Sequence, residues 1–97
     1  MINHKYFVKH AENYFIQKGY NVELEIPLSN GKGAVDIFAY NEKEKVYAEI
    51  KSSPSSLNQK KVKKQLEKYV EEFGIQNKYL LISPDSDGKI KINTFNQ

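Results

Sequence analysis

Two short apolar stretches, each with a carboxylate planted inside it, most constrain how this chain can fold. They are Gly33-Ala34-Val35-Asp36-Ile37-Phe38-Ala39-Tyr40 and Lys45-Val46-Tyr47-Ala48-Glu49-Ile50-Lys51. Both are short, β-branched and aromatic, and both are bounded by turn residues, so both read as strands. An ionised carboxylate inside a sheet is costly unless something binds it. Side chains alternate along a strand, so Glu49 and Lys51 share a face. The polar segment Asn41-Glu42-Lys43-Glu44 reads as a hairpin turn, and centring it on Glu42-Lys43 sets Asp36 opposite Glu49. Opposed residues of an antiparallel pair have Cβ atoms about 5 Å apart. Two carboxylates at that spacing can share one cation, and without one they should repel. The turn lacks an Asn-Gly pair, so it does not fix the register by itself. Two carboxylates with a lysine two residues after the second suggest a divalent cation beside a general base or charge stabiliser.

The rest of the chain supplies a small α/β unit around this hairpin. Residues 3–18 look helical, with Phe7, Ala11, Tyr14 and Phe15 recurring at spacings of three and four, and Gly19 is a plausible stop. Residues 20–28 alternate Tyr20, Val22, Leu24, Ile26 and Leu28 against Asn21, Glu23 and Glu25, which predicts a half-buried strand. Ser29-Asn30-Gly31-Lys32-Gly33 is a flexible loop into the Asp36 strand. A serine-rich loop follows Lys51. Ser56 with Gln59 fits a capping box that opens a second helix running to about Phe73, with Val62, Leu66, Tyr69, Val70 and Phe73 as its apolar stripe. Residues 78–83 and 89–95 read as two more strands around a Pro84–Gly88 turn. The expected order is α-β-β-β-α-β-β, in a central mixed sheet flanked by helices, with residues 1–97 forming one domain.

Composition narrows the function classes. No run approaches a membrane span, and the first nine residues lack the apolar core of a signal peptide. No membrane partner is therefore expected. With no cysteine, disulfides and thiolate metal sites are excluded, and a cytoplasmic location is the natural expectation. The formal charge is +3, and every basic residue apart from the two histidines is lysine. A basic balance favours an anionic partner, nucleic acid above all. Without arginine the chain lacks the usual bidentate reader of guanine edges. Lysine still neutralises phosphates, so DNA would be sensed through backbone and shape.

The order of elements, with Asp36 on the second strand and Glu49-Ile50-Lys51 on the third, resembles the PD-(D/E)XK nuclease superfamily. The likeness is to its small members, such as archaeal-type Holliday junction resolvases and stand-alone phage nuclease domains, and it covers about residues 5–95. Val35 stands where the superfamily name has proline, a position at which many members depart. Gln65 and Tyr69 match the Gln-x-x-x-Tyr element of one large branch, and Glu12 lies on the first helix, where many members carry an extra acidic metal ligand. The resemblance implies a restriction-endonuclease-like core and a divalent-metal-dependent DNA endonuclease, structure-guided or weakly sequence-specific. Asp36, Glu49, the Ile50 carbonyl and Glu12 would bind Mg²⁺ or Mn²⁺. Lys51 would orient or deprotonate the attacking water and steady the phosphate. Gln65 and Tyr69 would support Lys51, the metal water or the substrate backbone. The DNA could be duplex, branched or single-stranded, and two copies of the chain would cut two strands as a homodimer.

Blander readings compete at each position. Asp36 could blunt a sheet edge, Glu49 and Lys51 could form a solvated face, and Glu12 could be an ordinary helix-surface glutamate. Tyr69 reads more readily as a core residue with its hydroxyl at the rim than as a substrate contact. Lys60, Lys61 and Lys64 could be a charged helix face or a phosphate-contacting one. Ser29 and Lys32 could be turn residues or part of a substrate loop. His4 and His10, six residues apart, fall on different helix faces and read as surface residues. A non-catalytic nucleic-acid-binding or regulatory protein that kept the nuclease fold is the alternative. Its mark would be a broken acidic set.

Overall fold

Asn3 starts the first helix by chemistry local to the sequence: its side chain accepts a hydrogen bond from the Tyr6 amide at 3.3 Å, satisfying one of the orphan donors of a helix N-terminus. In the computed structural model, which describes residues 3–29, 31, 33–51 and 59–94, helix α1 then spans His4–Gln17. Phe7, Ala11 and Phe15 repeat every four residues on its buried face. Gly19 ends it at φ 90°, a conformation that favours glycine.

Strands β1 (Asn21–Pro27), β2 (Ala34–Tyr40) and β3 (Lys45–Ile50) follow, then helix α2 (Gln59–Phe73) and strands β4 (Lys78–Pro84) and β5 (Ile90–Thr94). The capping-box residue Ser56 and the rest of the serine loop lie outside the described residues. The five strands form one sheet in the order β1-β2-β3-β4-β5. Only β3 and β4 run parallel. A parallel pair needs a crossover, and α2 is that crossover. The β2–β3 register pairs Ile37 with Ala48 and Phe38 with Tyr47; carried one step past the end of that ladder it sets Asp36 opposite Glu49, and the two carboxyls are close enough to interact. The turn holds without Asn-Gly because the Asn41 side chain accepts from the amides of Lys43 at 2.8 Å and Glu44 at 2.9 Å, an Asx turn.

Alternation distributes the sheet between two helices. On one face Ile37, Ala39, Val46, Ala48, Ile50 and Ile82 pack with Phe7, Ala11 and Phe15 of α1. On the other Tyr47, Tyr79 and Leu81 pack with Val62, Leu66 and Tyr69 of α2. β3 and β4 are buried on both faces and so are apolar almost throughout. Glu49 is the buried charged exception, at 6 % exposure, whereas Lys45 and Lys78 at the strand starts are exposed. The edge strand β1 departs from the expected alternation: Leu24 is 40 % exposed, because Glu25 takes a left-handed φ of 55° in mid-strand and breaks the pleat there. No helix among the described residues is long and apolar enough to cross a membrane.

Candidate active site

Asp36 and Glu49 meet where β2 and β3 lie side by side, and the surrounding backbone ties them down. The Ile50 amide donates to Asp36 Oδ2 at 2.9 Å. The Ile50 carbonyl lies 3.1 Å from His4 Nε2, which is itself 3.9 Å from Asp36 Oδ2. The first turn of α1, the tip of β2 and the end of β3 thus converge on one residue's peptide groups.

Glu49 is held from the α2 side. The Tyr69 hydroxyl donates to Glu49 Oε2 at 2.5 Å, and Gln65 Nε2 donates to the same hydroxyl at 3.0 Å. One helical turn separates Gln65 from Tyr69. Lys51 Nζ lies 3.6 Å from the other carboxylate oxygen, Oε1. Tyr69 is fully buried, and burial, with its bond to Glu49, pushes its phenol well above the ordinary range. It therefore remains a donor. Removing that hydroxyl would leave a buried carboxylate oxygen short of a partner, at about 1–3 kcal/mol. Tyr69→Phe should lower the unfolding free energy from urea titration by that amount at pH 8 and raise the Glu49 pKa further, which carboxyl-selective NMR titration reads.

The Glu49 carboxyl is pushed up to about 7, first by burial and next by the Asp36 charge, with Tyr69 and Lys51 pulling it partly back. A carboxyl whose pKa rises on folding favours the fold while it is protonated. That contribution is complete below the unfolded value of 4.5 and is lost as pH rises through about 7. Stability of the cation-free protein should therefore fall between pH 4.5 and about 7 by about 3 kcal/mol. Urea unfolding in EDTA across that range checks it, and a flat profile would contradict the burial of Glu49.

The same electrostatics describe what could occupy the site. Two carboxylates and a carbonyl, all oxygen donors, suit a hard divalent cation. The proton that Glu49 keeps to near neutrality stands where a cation's charge would serve better. The residues fit such an ion.

The other sequence candidates fall elsewhere. Glu12 pairs with Lys9 at 3.0 Å, two helical turns from His4, and no three His, Cys, Asp or Glu side chains gather as a metal cluster among the described residues. Ser29 donates through its hydroxyl to Glu72 Oε1 at 2.6 Å, fastening the β1–β2 loop to the end of α2. Lys32 lies outside the described residues. Lys60, Lys61 and Lys64 are on the exposed side of α2. His4, read as a surface residue, is half-exposed and also touches the site. Its face is legible in the sequence, since positions 4, 8, 11 and 15 continue one helical stripe through Val8, Ala11 and Phe15, but not which strands that end of the helix meets.

Residues 2–86 match the family described as a domain of unknown function (DUF8371). The chain belongs to that family. No curated protein matches this DUF8371 chain. Two solved structures share its fold. The crystal structure of SSO0001 is 23 % identical, with a TM-score of 0.64, over 96 % of this chain and 50 % of that one. A repair endonuclease from Pyrococcus abyssi is 18 % identical, with a TM-score of 0.53, over 84 % of this chain and 37 % of that one. At such identities the likeness shows the fold alone. This DUF8371 domain has a restriction-endonuclease-like core, and it spans half or less of the length of either structure.

Proposed function

We propose that this domain is a divalent-metal-dependent DNA endonuclease of the PD-(D/E)XK kind. One observation carries the reading: a buried carboxylate, Glu49, faces a second, Asp36, with Lys51 within 3.6 Å of the first. A purely structural role gives no reason to bury one carboxylate against another, partly exposed one, which costs stability at neutral pH. The fold shared with a repair endonuclease supports the same reading.

Asp36, Glu49 and the Ile50 carbonyl would hold Mg²⁺ or Mn²⁺, with the His4 imidazole at its flank. When bound, the cation would polarise the phosphoryl oxygen and lower the pKa of water. Tyr69 and Gln65 fix one oxygen of Glu49 and so leave Oε1 for the cation. Lys51, released from that oxygen, turns its ammonium to the attacking water or to the charged phosphate. Exposed Lys60, Lys61 and Lys64 would meet backbone phosphates along α2. A homodimer would bring two such sites to a duplex or junction, and sedimentation with and without DNA reads whether it forms.

The direct test incubates the protein with labelled duplex, single-stranded and four-way-junction DNA in Mg²⁺, Mn²⁺ or EDTA. Cleavage of at least one substrate is expected with metal and none with EDTA. Tight DNA binding with no cleavage under any condition would move the domain to the non-catalytic alternative.

A further inference from the structure

Asp36 has a second side. Away from Glu49 and Tyr69, it borders a cavity of about 180 Å³ between α1 and β1, lined by His4, Lys5, Val8, Lys9, Leu24, Glu25 and Asp36. Val8 and Leu24 give it apolar walls. His4, Lys5 and Lys9 make one side basic, with Lys9 already engaged by Glu12 at 3.0 Å. Glu25 falls between the pairs Leu24–Ile37 and Ile26–Val35, directly across from Asp36. Its left-handed backbone, φ 55°, is unusual for a strand residue, and such backbone is tolerated where surrounding structure imposes it. Leu24 stands 40 % exposed at the mouth.

We infer that this cavity takes one unstacked nucleotide of the substrate strand, beside the phosphodiester at Asp36. The inference deepens the nuclease reading and rests on it for the ligand's identity. The apolar walls suit the face of a base or sugar, and Lys5 suits the attached phosphate. The Glu25 carboxylate can accept from a base amino or imide N–H. The space is below the roughly 300–1,000 Å³ of pockets that enclose drug-sized ligands. It admits one base and not a base pair. A nucleotide must therefore be unpaired to enter, and the substrate class is a single strand, a flap or a frayed end, in preference to intact duplex. The occupant also covers Leu24, an apolar side chain that β1 otherwise leaves in water.

Two measurements test this, and they fail separately. In EDTA, saturation-transfer NMR with deoxythymidine monophosphate needs no catalysis. Base-proton signals are expected, and an equal concentration of inorganic phosphate should not displace them. Leu24→Trp, which fills the mouth from an exposed position, should weaken nucleotide binding about tenfold with an unchanged melting profile; Lys5→Glu, a helix-surface change, should also weaken it. Phosphate displacing the nucleotide one for one, or unchanged binding in both variants, would overturn the proposal. On single-stranded DNA in Mg²⁺, one abasic residue stepped past the cut should raise KM about tenfold at a single flanking position, and should have no such effect in Leu24→Trp. Cleavage indifferent to every abasic position sinks the pocket and leaves the nuclease standing. Nucleotide binding that is lost in Leu24→Trp, in a protein that cuts nothing, sinks the nuclease and leaves the pocket.

Discussion

Asp36→Asn and Glu49→Gln are each expected to lower cleavage at least about a hundredfold, because a catalytic metal supplies several kcal/mol of transition-state stabilisation. Both changes keep the side chain's shape and remove the charge that would hold a cation. Glu49→Gln should do more than inactivate. In the wild-type protein at pH 8, with no cation, an ionised Glu49 is buried against the Asp36 charge. The amide that replaces it would be neutral and could still accept from Tyr69. The variant should be about 3 kcal/mol more stable than wild type in EDTA at pH 8. The advantage should vanish near pH 4, below the ordinary carboxyl value of 4.5. Urea midpoints at the two pH values measure it. A variant that keeps more than about a tenth of wild-type cleavage, or one destabilised at pH 8, would count against the assignment of Glu49 as a ligand. A dead enzyme that is sturdier than the live one is the signature of a charge kept for function and not for the fold.

Lys51→Ala should behave differently. Its ammonium is 3.6 Å from Glu49 Oε1 and is not an oxygen donor, so its loss should leave metal affinity in place at pH 8. Turnover should fall about 10²- to 10⁴-fold, the range for a positioned proton-transfer group. Lys51 also lowers the Glu49 pKa, so the residual activity should need a higher pH. Stopped assays across pH 6–9, with calorimetry on the same preparation, separate the two effects. Metal binding lost together with turnover would make Lys51 a structural counter-charge for Glu49.

The hairpin was legible in the sequence because its signals are local. Asp36 and Glu49 sit in apolar runs at a fixed distance from one polar turn, and period-two alternation does the rest. The helices were legible through the stripes that bury Phe7, Ala11 and Phe15 on α1 and Val62, Leu66 and Tyr69 on α2. Tyr69 illustrates how two readings can merge: it is a core residue, and its hydroxyl is also the donor that holds Glu49. What the sequence withheld depends on three dimensions. His4 reaches Ile50 and Asp36 across 46 and 32 positions, and no periodicity reports which end of a helix meets the sheet's working end. Glu12 fitted the helix, where it pairs with Lys9, and no group of three His, Cys, Asp or Glu side chains forms around it among the described residues. The left-handed Glu25 and the exposed Leu24 break an otherwise clean alternation, since an edge strand is paired on one side only and can twist away. The cavity they border has no sequence signature at all.

The most direct measurement is a calorimetric titration of the protein with Mn²⁺ and Mg²⁺ at pH 6 and pH 8, in buffers of different ionisation enthalpy. One divalent cation should bind per chain. At pH 6, below the raised Glu49 value of about 7, binding should release close to one proton and be weaker. At pH 8 almost no proton should be released, because the carboxylate is already ionised. Asp36→Asn and Glu49→Gln should each abolish the signal. No binding at millimolar metal, or binding that both variants retain with the same proton release, would contradict a cation held between Asp36 and Glu49.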